Sequence, residues 1–251
     1  MKIELLEGER LDRVAGTELE IIQSRDVFSF SIDAILLSRF VQVPIRKGRI
    51  LDLCSGNGVI PIALTTRTQA QIVGIEIQKR LVDMARRSVL VNQLEHRLSF
   101  VHENVVNIQL EGSFDVVTCN PPYFPTNTKR DQNMNEYVAI ARHEIHCTLS
   151  DVIRVASRYV KHGGRVAFVH RPERLTDLLN EMRVCKIEPK RIQFVHAKPS
   201  TEANIVLVEG RKEGQPGVTC LPPIFVYNEE GRYNEAFLQI YEGEFRTKVG
   251  I

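Results

Sequence analysis

From residue 49 onward the chain alternates short apolar, β-branched runs with segments of helical period, and this alternation limits its fold more than any other feature. Residues 49–53, 71–77, 98–102 and 114–119 read as strands, and 59–66 and 79–92 as helices. Further on, 150–160 reads as a helix capped by Ser150. Gly163-Gly164 turns into a strand at 165–170, a helix covers 172–181, and 191–196 with 205–209 are the last strands. Strands that alternate with helices dictate a mostly parallel sheet with helices on both faces. The last two strands are separated only by the stretch from Ala197 to Asn204, too short for a crossover helix, so they form an antiparallel hairpin. The expectation is an α/β fold: a seven-stranded, mostly parallel sheet ending in that hairpin.

Three regions follow from the same pass. Residues 1–30 carry short alternating runs, such as Leu19-Glu20-Ile21-Ile22-Gln23, that predict a hairpin extension. Residues 31–212 form the main domain, opened by a helix over 31–43, and 213–251 are a weakly patterned extension. A polar, Asn-rich stretch at 125–136 reads as an active-site loop. Net charge is only +2, so contacts to nucleic acid would have to come from local basic patches. No apolar run approaches the roughly 18 residues that span a bilayer, and the acidic N-terminus lacks a signal-peptide pattern, so a cytoplasmic location is expected. The five cysteines are scattered and contain no Cys-x-x-Cys, which fits reduced core thiols. His143, His146 and Cys147 lack a second ligand cluster, so no metal site is expected.

Asn120-Pro121-Pro122-Tyr123 ends the strand at 114–119. Neither proline can donate to a sheet ladder, so the strand must stop there. The Asn and the aromatic are thereby presented at the carboxyl edge of the sheet, where ligands of open α/β sheets bind. An amide side chain, a fixed carbonyl and an aromatic face suit a planar group that carries an exocyclic NH2. The motif resembles the Asn-Pro-Pro-Tyr of amino-group methyltransferases, which methylate adenine N6, guanine N2 or a glutamine amide. In that reading Asn120, Pro121, Pro122 and Tyr123 are the catalytic set, and Asn120 also borders the cofactor.

A second station precedes it. Asp52-Leu53-Cys54-Ser55-Gly56-Asn57-Gly58 joins a strand to a helix, with glycines that permit positive φ and close approach of a ligand. The next strand ends in Glu76-Ile77, about 20 residues beyond the glycines, where an acid binds ribose hydroxyls in dinucleotide folds. A nicotinamide cofactor would want a third glycine where Pro61 stands. The turn instead resembles motif I of class I methyltransferases with their Rossmann-like fold, which implies S-adenosylmethionine. The resemblance assigns Asp52, Ser55, Gly56, Asn57, Gly58, Glu76 and Ile77 to the cofactor, with Glu103 or Asn104 beside its adenine.

Phe28-Ser29-Phe30-Ser31-Ile32-Asp33-Ala34-Ile35-Leu36-Leu37 resembles a segment of bacterial tRNA(Val) adenine N6-methyltransferases, which modify the adenine next to the anticodon. That likeness covers about residues 20–212 and implicates Ser31 and Asp33 in closing the cofactor site. It implies tRNA as the partner, with Tyr123 and Phe124 against the base, and Lys129, Arg130, Arg142 and Lys198 near phosphates. Lys186, Lys190 and Arg191 belong to the same basic cluster. Alternatives are release-factor glutamine N5-methylation, rRNA guanine N2-methylation, and a non-enzymatic RNA-binding scaffold. Oligomeric state and any partner protein are left open.

Overall fold

The structure is a computed structural model, and it describes residues 3–27, 30–124, 140 and 144–243. An N-terminal ribbon pairs β1 (Glu9–Arg13) with β2 (Glu20–Ser24) in antiparallel register. Helix α1 (Ile32–Phe40) follows. Then come β3 (Arg49–Leu53), α2 (Val59–Leu64), β4 (Gln71–Glu76), α3 (Lys79–Val91), β5 (Leu98–His102) and β6 (Phe114–Cys119). Further along the chain come α4 (Leu149–Tyr159), β7 (Val160–His170), α5 (Leu175–Val184), β8 (Ile187–His196) and β9 (Ala203–Lys212). The chain closes with β10 (Thr219–Cys220), β11 (Ile224–Phe225) and α6 (Glu235–Glu242).

The seven expected strands lie in the order β5-β4-β3-β6-β7-β9-β8, parallel except for β9, which runs antiparallel to β7 and to β8. The tail departs from the expectation of a weakly patterned extension. β10 and β11 both add to the outer strand β8, so the sheet has nine strands among the described residues. The helix expected to be capped by Ser150 starts earlier. Thr148 is the cap: its hydroxyl accepts from the Asp151 N–H, and the Asp151 carboxylate accepts from the Thr148 N–H at 3.0 Å. This capping box satisfies two otherwise orphaned donors. Thr148→Ala is therefore expected to cost about 1 kcal/mol of stability, read as a lowered denaturation midpoint with an unchanged slope.

Side chains alternate between the sheet's faces, and both faces are buried. Ile50, Ile72, Val116 and Ala167 pack with α1, α2 and α3 on one side. Leu51, Ile75, Val117 and Phe168 pack with α4 and α5 on the other. The N-terminal ribbon is fastened to α3. Ile22 N–H donates to Ser88 Oγ at 2.9 Å, and Arg87 pairs with Glu9 at 2.7 Å, which holds the Glu9 carboxyl below its ordinary range.

The sheet order reverses around β3, with β4 and β5 on one side and β6 and β7 on the other. Such a switch point opens a crevice at the carboxyl ends of the strands. Register fixes what reaches it. Leu53 lies beside both Ile75 and Cys119, so Cys54, Glu76 and Asn120 leave the sheet together.

Candidate active site

A cavity of about 420 Å³ opens at this switch point. Ser55, Gly56 and Asn57 from the turn after β3, Glu76 and Ile77 at the end of β4, and Glu103 and Asn104 just after β5 line one part of it. Asn120, Pro121, Pro122, Tyr123 and Phe124 after β6, with Ser31 and Asp33 of the α1 start, line the other. The two stations read separately in the sequence thus share one chamber.

At the turn, Gly56 has φ +56°, and a Cβ built there would meet no heavy atom within 4 Å, so its backbone faces open space. Its N–H donates to Glu76 Oε2 at 2.8 Å, while Gln78 N–H donates to Oε1 at 2.8 Å. The Ile77 N–H adds a third backbone hydrogen bond to Glu76, and a carboxylate, with about four acceptor sites, keeps capacity beyond these. Burial raises the Glu76 pKa. Ser55 and Asn57 spend their side chains on the framework: Ser55 Oγ donates to Asp52 O at 3.0 Å, and Asn57 Nδ2 to Ile22 O at 3.1 Å.

Two of the residues expected at the cofactor are not in the lining. Gly58, at φ +87°, lies against β5, where a Cβ would come within 2.5 Å of Phe100 Cζ. That ring and the positive φ by themselves require a glycine there. Asp52 sits one layer behind the cavity, fully buried, with Oδ1 accepting from Thr118 Oγ1 at 2.5 Å and Oδ2 without a partner among the described residues. Burial pushes the Asp52 carboxyl up to about 7, with the Glu76 charge adding to it, against an ordinary value of 3.8.

Between those values the folded state holds a proton that the unfolded state has released, so this group's contribution to stability falls as pH rises from about 4 to about 7. The difference is on the order of 4 kcal/mol. His170, pushed down to about 4 by burial, acts in the opposite direction below pH 6.5. Comparison of variant with wild type isolates Asp52. The stability of Asp52→Asn relative to wild type should climb across pH 4 to 7 and level off above, in urea melts at a series of pH values.

Asn104 uses its amide locally: Nδ2 donates to His146 O at 3.3 Å, and Oδ1 accepts from Val106 N–H at 3.1 Å. Glu103 Oε1 accepts from the Asn104 N–H at 2.7 Å. In the other part, the Tyr123 hydroxyl lies 2.6 Å from Asn120 Oδ1 and 2.8 Å from Asp33 Oδ2. Burial, and then the Asp33 charge, raise the Tyr123 pKa well above that of a free phenol. The ring is flanked by His170, with centroids 5.1 Å apart, and by the Arg171 guanidinium, 5.3 Å from its centroid. Phe124 meets it edge-on and is 41% exposed.

Lining residues that the sequence reading missed include Arg171, Cys54, His146 and Cys147. Arg171 follows β7, and the carboxyl-edge rule that found Asn120 applies to that strand equally. The cysteines were expected to be core thiols, but Cys54 and Cys147 face the cavity and hydrogen-bond to each other, with Cys119 bonded to Cys54 from behind. The Cys119 bond raises Cys54, the Cys54 bond raises Cys147, and burial raises Cys119, so all three stay protonated thiols at neutral pH. Among the described residues no group of three or more side chains could hold a metal ion.

The expected basic cluster is largely committed elsewhere. Arg191 pairs with buried Glu209 at 3.2 Å, Lys190 Nζ donates to Gln215 O, and Lys198 Nζ to Glu229 O, and none of the three lines the cavity. Lys129, Arg130 and Arg142 lie outside the described residues.

The methyltransferase small domain model matches residues 18–188, which include both stations and strands β3 to β7. The chain belongs to the methyltransferase small domain family. Its fold is the Rossmann-like fold of class I methyltransferases. A predicted O-methyltransferase from Agrobacterium tumefaciens superposes with a TM-score of 0.66 at 21% identity, over 84% of this chain and 96% of that one. An M. jannaschii tRNA methyltransferase does so with 0.59 at 14%, over 83% of this chain and 58% of that one. By sequence, this methyltransferase is 22% identical to the tRNA1(Val) (adenine(37)-N6)-methyltransferase of Shewanella sp. strain MR-4, over 84% of this chain and 89% of the relative. The enzymes of the same name from Porphyromonas gingivalis and Haemophilus influenzae are 25% and 24% identical, over 80% and 92% of this chain and 81% and 97% of theirs.

Proposed function

We propose that this methyltransferase transfers a methyl group from S-adenosylmethionine to N6 of an adenine in tRNA, at position 37 of tRNA(Val). The observation that carries the reading is that Asn120–Tyr123 and the Gly56–Glu76 station line one cavity. The names of the relatives supply the tRNA and the position. No helix among the described residues is long and apolar enough to cross a membrane.

The residues fit the cofactor. Gly56 leaves open space where a side chain would stand, and Glu76 keeps acceptor capacity after taking the backbone N–H groups of Gly56, Gln78 and Ile77. S-adenosylmethionine supplies an electrophilic methyl on a sulfonium. Glu76 accepts the ribose hydroxyls, Gly56 and Ile77 present backbone, and Glu103 or Asn104 borders the adenine. An adenine amine is a weak nucleophile because its lone pair is delocalised into the ring. Asn120 Oδ1 and the Pro121 carbonyl accept the two N6–H bonds and draw the nitrogen toward a geometry with its lone pair available, stabilisation aimed where charge develops. The fixed turn after β6 also orients the amine for in-line attack. Tyr123 and Phe124 hold the base, which must leave its stack to enter. Lys129, Arg130 and Arg142 contact phosphates and make binding salt-dependent.

The test offers labelled cofactor with total tRNA, total rRNA and release factor, followed by nucleoside analysis. N6-methyladenosine in tRNA is expected. Label confined to protein, or guanine N2-methylation in rRNA, would replace the reading.

A further inference from the structure

One hydroxyl hydrogen faces two acceptors at the heart of the site. Tyr123 Oη lies 2.6 Å from Asn120 Oδ1 and 2.8 Å from Asp33 Oδ2. A phenol has one hydrogen, and an amide oxygen and an ionised carboxylate have none to give in return. The hydroxyl can therefore satisfy only one of them at a time. If it serves Asn120, the oxygen that must receive the substrate's N–H is already occupied. If it serves Asp33, Asn120 Oδ1 is released.

Asp33 is well placed to make that difference. It stands in the first turn of α1, 90 residues upstream of Tyr123. The helix N-cap, Ser31, makes no side-chain capping bond, and the Asp33 carboxylate is turned toward the phenol. The hydroxyl is held between its two acceptors by the ring's surroundings. Arg171 lies over the ring, and His170 is tilted against it.

We infer that Asp33 is a positioning residue that acts through Tyr123: it accepts the Tyr123 hydroxyl hydrogen and so frees Asn120 Oδ1 for the substrate's NH2 group. The inference rests on the proposed role of Asn120, and it differs from the role in cofactor closure that the sequence resemblance implied for Asp33. No covalent bond forms or breaks. The O–H turns from one acceptor to the other as the incoming N–H takes its place. A carboxylate is the stronger acceptor of the two, so the substrate need not bear the whole cost of displacing the hydroxyl.

A double-mutant cycle tests this. Asp33→Ala leaves Asn120 as the hydroxyl's remaining acceptor in the pair, and should lower kcat about tenfold, the size of one hydrogen bond, with the cofactor KM unchanged. Tyr123→Phe removes the competing hydrogen. In that background Asp33→Ala should change kcat less than twofold. An equal loss in both backgrounds, or a raised cofactor KM in either, would overturn the inference and return Asp33 to the cofactor. The acceptor is whichever of tRNA, rRNA or release factor the wild type labels, because adenine, guanine and the glutamine amide all present an NH2. A wild type that labels none of them defeats the proposed function instead. The inference is then read from the Asn120 side-chain NH2 resonance. That resonance should move on Asp33→Ala in the wild-type background and stay in place on the same change in Tyr123→Phe. Movement in both backgrounds, or in neither, would refute it.

Discussion

Asn120→Ala is expected to lower methyl transfer by about a thousandfold while S-adenosylhomocysteine binds within threefold of wild type. The magnitude follows from removing one preorganised acceptor from a water-poor site, which costs about 10²–10³ in kcat in comparable systems. The separation of the two readouts follows from geometry. Asn120 leaves the sheet after Cys119, at the β6 side of the crevice, whereas Gly56 and Glu76 are held together by their own hydrogen bond on the β3–β4 side. Removing the amide leaves that bond intact. The truncation should also be tolerated by the fold, because the turn is set by Pro121 and Pro122 and by the end of β6, not by the Asn side chain. Single-turnover transfer and calorimetric titration on the same preparation check both halves. Equal loss of transfer and cofactor binding would show that Asn120 supports the cavity as a whole.

Much of this site was legible because strand ends are legible. Residues 49–53, 98–102 and 114–119 have the boundaries that their apolar runs predict. In a parallel sheet the residues after such runs must collect at one edge, so Glu76 and Asn120 could be placed near each other without any contact information. The cap of α4 was also within reach. Thr148 has an acid three residues on, Asp151, whereas Ser150 has Ile153, and the capping-box spacing separates the two.

Other features were not legible, for physical reasons. A glycine in a strand–helix turn signals positive φ whether it faces a ligand or a ring, so Gly56 and Gly58 looked alike until Phe100 was seen against Gly58. β10 and β11 are two residues each, too short for a period-2 signal, and they exist because β8 presents an unpaired edge. The bond from Tyr123 to Asp33 spans 90 residues, and nothing local marks it. The committed state of Arg191 was hidden similarly, since Glu209 faces it from the neighbouring strand.

Glu76→Gln should show the opposite division of effects from Asn120→Ala. The carboxylate accepts from Gly56 N–H and Gln78 N–H, one on each oxygen, at 2.8 Å. An amide of nearly the same volume keeps one acceptor and turns the other into an NH2, which confronts a backbone N–H with a donor. One of the two bonds is therefore lost, and so is the charge that strengthens acceptance from ribose hydroxyls. Hydrogen bonds to a charged partner are worth about 1.5–3 kcal/mol each. The dissociation constant for S-adenosylhomocysteine should accordingly rise about thirtyfold. At saturating cofactor the transfer rate should remain within a few fold of wild type, because the amide that receives the nucleophile lies on β6 and not on β4. The substitution also removes a buried carboxyl whose pKa is raised by desolvation. The folded state holds that proton longer than the unfolded chain, so Glu76 weakens the fold progressively as pH rises through the carboxylate range. The variant should therefore lose less stability than wild type between acid and neutral pH, even as it binds cofactor more weakly. Unchanged affinity for S-adenosylhomocysteine would remove Glu76 from the cofactor site and leave it as the clamp that fixes the Gly56 turn.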